Sequence, residues 1–208
     1  MDYVLAVERV REHLQQQGIE LELRQRPAPC EEEGLLEGVP AMLASFYRQW
    51  GRGVDLCWFA RAHPVLGQSV HGSFVVPSPR SLLVDEKRRR DGQELRDLSH
   101  PDDLAHLEFM TEHLRHMYWN EAQGDGTHLC LDLGQAEVPV ALYTMQQRTF
   151  FPIAPSFEEF FLRCAERSFC FPRSGFYSFP FGNGGTEAAW EDSRTYPPEL
   201  RIERAQLV

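Results

Sequence analysis

Three histidines and a glutamate fall within eleven residues of this chain: His106, Glu112, His113 and His116. Imidazole nitrogens and a carboxylate are the ligands that zinc and other transition metals take. On the helix predicted for this stretch, however, His106 and His113 stand nearly two turns apart, ~10 Å along the axis, which one ion cannot span. His113 and His116 are i,i+3 neighbours, and two ligands do not make a site, so these are expected to be ordinary surface or half-buried histidines. A second constellation, Cys57 with His63, His71 and Asp55, has the residue types of a thiol nucleophile and its base. Nothing in their spacing brings them together, and Cys57 reads as a buried structural cysteine on a strand. Ser69 and Ser73, near His71, are read in the same way. The chain has no G-x-G-x-x-G, G-x-x-x-x-G-K, G-x-S-x-G or H-E-x-x-H. Gly182-Asn183-Gly184-Gly185 lacks a lysine and reads as a flexible turn. Neither catalysis nor a cofactor is expected.

The elements that would position these residues follow from periodicity. Val7, Val10 and Leu14 recur at helical spacing between charged residues, predicting a helix over 3–17 that stops at Gly18. Residues 20–24 alternate polar and apolar, as an edge strand does. Pro27, Pro29 and the run Glu31-Glu32-Glu33-Gly34 make a loop. Pro40 then opens a helix over 41–50 whose Met42, Leu43, Phe46 and Trp50 share a face, closed by Gly51 and Gly53. Strands are predicted at 54–60 and 70–76, one helical turn at 81–84, and a polar segment at 87–98. Acidic residues after Ser99 predict a helix over 101–119, with Leu104, Leu107, Leu114 and Tyr118 inward. The clearest hairpin joins strands at 127–133 and 138–145 across Gly134, followed by a strand at 150–154. Ser156-Phe157-Glu158-Glu159 matches a capping box that opens a helix burying Phe157, Phe160, Phe161 and Cys164.

Composition limits the function classes. The chain of 208 residues is 42% hydrophobic with 14 Phe, enough for a real core, and carries 31 acidic against 21 basic side chains for a net charge of −10. Such a surface repels nucleic acid and favours a basic partner. Lys87-Arg88-Arg89-Arg90, flanked by acids, reads as a solvated loop or helix end. No apolar run reaches the ~18–20 residues of a membrane span, and no leader pattern opens the chain, so a cytoplasmic location is expected. The five cysteines, Cys30, Cys57, Cys130, Cys164 and Cys170, include no C-x-x-C pair and read as reduced thiols. Aromatic residues crowd 169–181, with Trp190 beyond them. Packing back on the domain as an added strand is favoured over exposure as a partner anchor. With no internal repeat and no break in composition, one α+β domain over 1–208 is the expected organisation.

Three stretches resemble the SUKH superfamily of Smi/Knr-type regulators and bacterial immunity proteins. Val39-Pro40-Ala41-Met42-Leu43-Ala44-Ser45-Phe46-Tyr47-Arg48-Gln49-Trp50-Gly51 looks like the opening helix of that family. Gly124-Asp125-Gly126 followed by Thr127-His128-Leu129-Cys130-Leu131-Asp132-Leu133 looks like its central strand. Pro139-Val140-Ala141-Leu142-Tyr143 and Ile153-Ala154-Pro155-Ser156-Phe157-Glu158-Glu159-Phe160-Phe161-Leu162 look like the following strand and final helix. The likeness covers about residues 36–167, leaving 87–98 and everything after Arg167 outside it. It implies a mixed, mostly antiparallel sheet backed by helices, no shared catalytic residues, and protein binding as the activity. Many relatives neutralise toxins, often nucleases, which a surface of −10 suits by steering onto a basic active-site cleft. The expected partner is thus a basic toxin, with neither nucleic acid nor membrane, and the candidate contacts are Glu31, Glu32, Glu33, Asp102, Asp103 and Trp58. The alternatives are a non-catalytic regulator or scaffold of the same fold and, last, a metal-dependent enzyme using the histidine helix. Asp132, between two leucines, is expected to face solvent.

Overall fold

The computed structural model describes residues 1–61, 69–85, 114–117, 127–144, 149–170 and 198–208. The chain forms two compact units that interleave along the sequence. Met1–Pro27, Val54–Val75 and Glu158–Val208 make one, and Ala28–Gly53 with Val76–Phe157 make the other. The class is α+β, with helices and antiparallel strand pairs. The described strands divide between a three-stranded and a four-stranded sheet. No helix among the described residues is long and apolar enough to cross a membrane.

In the first unit, α1 (Tyr3–Gln16) starts where the Asp2 carboxylate accepts from Leu5 N, and buries Tyr3, Ala6, Val7, Val10 and Leu14 along one stripe. It ends in a Schellman turn, with Gly18 N donating to Gln15 O and Ile19 N to Leu14 O, and Gly18 supplies the required positive φ of 73°. Strand β1 (Leu21–Leu23) runs antiparallel to β2 (Val54–Ala60), which lies between β1 and β3 (Val70–Val76). Along β2, Val54, Leu56 and Trp58 are buried while Asp55, Cys57 and Phe59 face outward. Cys57 is therefore half-buried on the outer face, where the sequence predicted a core thiol; its odd position in the alternation decides this. Helix α3 (Phe157–Glu166) brings Phe160 and Phe161 against this sheet. Phe74 meets Phe160, Phe161 and Phe169 with ring centroids 6.0, 5.4 and 5.0 Å away, and Tyr3 meets Phe161 edge-on at 5.0 Å. Each such ring contributes roughly 2–3 kcal/mol by burial.

After α3 a second Schellman turn places Ser168, not glycine, in the left-handed position, at φ 52°. The chain then joins the edge of β3. Ser73 N donates to Phe169 O at 3.0 Å, and Cys170 bridges Gly72 antiparallel. Phe169 and Cys170 are buried, so the first residues of the aromatic stretch pack back against the edge of β3 through a single bridge; 171–197, with the remaining aromatics, lie outside the described residues. Gly72 is required at this junction, because a Cβ there would collide with the Trp58 indole and lie 2.6 Å from Phe169 O.

In the second unit, α2 (Ala41–Gln49) follows Pro40 and buries Leu43, Ala44, Phe46 and Tyr47, with Trp50 buried just beyond. Met42, expected inside, is half-buried, and Tyr47 takes the inward place, its hydroxyl donating to Pro77 O at 3.0 Å. A helical turn at Ser81–Asp85 sits where one was predicted. The four-stranded sheet runs β4 (Leu114–Met117), β5 (Thr127–Asp132), β6 (Val140–Thr144) and β7 (Thr149–Ala154), each antiparallel to the next. Leu129, Cys130 and Leu131 are all buried, so both faces of β5 are covered. Asp132 ties the hairpin turn, accepting from Gly134 N at 2.9 Å and Gln135 Nε2 at 2.7 Å, which accounts for a charge next to the buried Leu131.

Strand β4 corrects the sequence reading. The helix predicted over 101–119 does not extend through Leu114–Met117, which pair residue by residue with β5, His116 lying opposite Cys130. Four residues carry too little local preference to resist a cross-strand partner that apolar and buried. The helix geometry behind the histidine cluster therefore fails at His116. Residues 101–113, with His106, Glu112 and His113, lie outside the described residues, as do 87–98.

Candidate partner-binding site

The acidic loop before α2 is built into a cleft of about 200 Å³ lined by Cys30, Glu31, Glu32, Gly51, Arg52, Ser78, Pro79 and Arg80. Its floor is backbone against backbone. Ala28 bridges Trp50 in parallel, Gly51 N donates to Ala28 O at 2.7 Å, and any Cβ at residue 51 would overlap the Cys30 main chain. Glycine is the residue that lets the loop lie this close to the end of α2.

Each glutamate of the run faces its own arginine. Arg52, just after α2, donates to Glu31 Oε1 at 2.7 Å; Arg80, beyond β3, donates to Glu32 Oε1 through Nη2 at 2.6 Å and through Nε at 3.1 Å; Arg48, in the last turn of α2, lies 4.0 Å from Glu33. The hydrogen bond and charge of Glu31 raise the Arg52 pKa. The sequence nominated these glutamates but gave no sign of their arginines, two of which come from the end of α2 and one from beyond β3. The run is thus an exposed ladder of ion pairs rather than a bare acidic patch. The glutamates keep acceptor capacity, Glu31 being held through Oε1, so a donor from a partner can add to or exchange with its arginine at small cost.

The other candidates fall differently. Trp58 is 3% exposed, with Nε1 donating to Ser168 O at 2.7 Å, so the nominated contact is a core residue. It occupies an inward position of β2, which alternation alone allowed the sequence to read either way. Asp102 and Asp103 lie outside the described residues. Cys57 donates to Glu22 Oε2 at 3.6 Å. Burial, together with Glu22 and Asp55 and against the opposing charge of Arg24, raises its thiol pKa. A thiol held protonated beside a carboxylate is a poor nucleophile. His71 is exposed, His63 lies outside the described residues, and Ser69 donates to Arg61 O. Among the described residues no group of His, Cys, Asp and Glu is placed to hold a metal ion. Comparison with family models, with curated proteins and with solved structures returns no match.

Proposed function

We propose that this chain is a protein-binding module of the SUKH type that neutralises a basic toxin, such as a nuclease, by covering its active site. The observation that carries the reading is the exposed glutamate ladder at the mouth of the cleft, set on a backbone floor in a chain of charge −10. The net charge steers a basic partner toward the surface, and the ladder offers carboxylates that exchange cations at close range. The order of elements supports the reading: a helix at 41–49, paired strands at 127–132 and 140–144, and a helix at 157–166 lie where the resembling motifs fall.

The test is calorimetry of the purified chain against the purified product of the neighbouring gene, at low and at physiological salt. The expected result is a stoichiometric complex in which the neighbour's activity is lost. Reversing Glu31, Glu32 and Glu33 to lysine should weaken it at least tenfold. A neighbour that neither binds nor loses activity would overturn the toxin reading, and full affinity in the triple variant would remove the ladder from the interface.

A further inference from the structure

Residues 198–208 lie against α3 with little regular structure of their own, two short turns at Pro198–Leu200 and Arg204–Gln206. Three apolar side chains hold them, Leu200, Ile202 and Leu207, each at most 6% exposed. Polar bonds add to these. Ile202 N donates to Glu166 O at 2.8 Å, the Ser168 hydroxyl donates to Leu200 O at 2.6 Å, and His13 Nε2 lies 3.2 Å from Glu199 O. A clasp closes the contact. Arg204 donates to both oxygens of Glu159, at 2.8 and 3.1 Å, and to Glu166, while Arg163 donates to Glu159 at 2.6 Å.

We propose that residues 198–208 are a strap that opens and closes as a unit, without disturbing α3 or the aromatic cluster beneath it, and that the Arg204 clasp sets how often it opens. Among the described residues the segment pairs with no strand, and three apolar anchors spread over eleven residues barely offset the conformational freedom that those residues lose on docking. The aromatic cluster does not depend on it: Tyr3, Phe74, Phe160, Phe161 and Phe169 contact one another. Opening uncovers the Ser168 hydroxyl, the Glu166 carbonyl and the seats of the three anchors, giving the unit a surface that exists only part of the time. This holds whatever the partner of the acidic ladder is.

Hydrogen exchange read by mass spectrometry on the full chain tests it. The amides of Ile202, Gln206 and Leu207 should exchange about tenfold or more faster than those of α3. Arg204→Ala should accelerate the strap by a further factor of about ten and leave α3 unchanged, and Arg204→Lys should fall between the two should the alanine variant fold poorly. Strap and α3 exchanging at one rate in the unaltered chain, or α3 loosening in step with the strap in either variant, would overturn the proposal.

Discussion

Two sets of glutamate–arginine pairs use the same groups at similar distances and do different work. In the clasp, Glu159 and Glu166 are 21% and 20% exposed; in the ladder, Glu31 and Glu33 are 71% and 63% exposed. Partial burial removes competing water from the clasp and strengthens each bond, whereas solvent screens the ladder. Burial by itself would push the Glu159 carboxyl up, yet the hydrogen bonds and charges of Arg204 and Arg163 outweigh it and hold that carboxyl below its ordinary value. Arg pairing in a half-covered place thus fixes a segment of chain, and in an exposed place it arranges a surface while leaving it exchangeable.

The largest expected effect comes from the buried junction that follows α3. Trp58→Ala takes away a buried indole and its bond to Ser168 O, and should cost about 3–5 kcal/mol in urea unfolding. Ser168→Ala leaves the Leu200 carbonyl without its hydroxyl donor, an expected loss of about 1–3 kcal/mol. Acid should sharpen the contrast. Because the folded pKa of Glu159 is depressed, its contribution is complete above the ordinary value of 4.5 and disappears as pH falls through the lower folded value. Stability of Glu159→Gln should therefore lose part of its dependence on pH below 4.5, measured by thermal unfolding across that range. The smallest effect belongs to the ladder, where Glu31→Gln should leave the unfolding midpoint within error. A midpoint shift as large as that of Ser168→Ala would show that exposure does not separate the two sets.

Much of the fold was legible in the sequence. The strands read at 54–60 and 70–76 are β2 and β3 to the residue, and helical spacing with a stop at Gly18 located α1, whose signal comes from burial on one face. The hairpin joining β5 and β6 was visible in the turn residues from Gly134 to Glu137. What could not be read were features set by distant pairings. Leu114–Met117 becomes a strand through β5, and Ser168 takes a glycine's backbone position with a hydroxyl bond to Leu200 in place of conformational ease. At the candidate site the glutamates stood out by composition, while Arg48, Arg52 and Arg80 had no mark that would assign them as partners. Trp58 was nominated for its type and lies inside because of its parity on β2.

The interleaving of the two units has a consequence for how the chain is made. Helix α1 finds its aromatic neighbour in Phe161, through Tyr3. At roughly 5–20 residues per second, about 7–30 seconds pass between the synthesis of α1 and the completion of α3. During that interval the ring that Tyr3 packs against in the folded unit does not yet exist, so the apolar stripe of α1 lacks part of its seat.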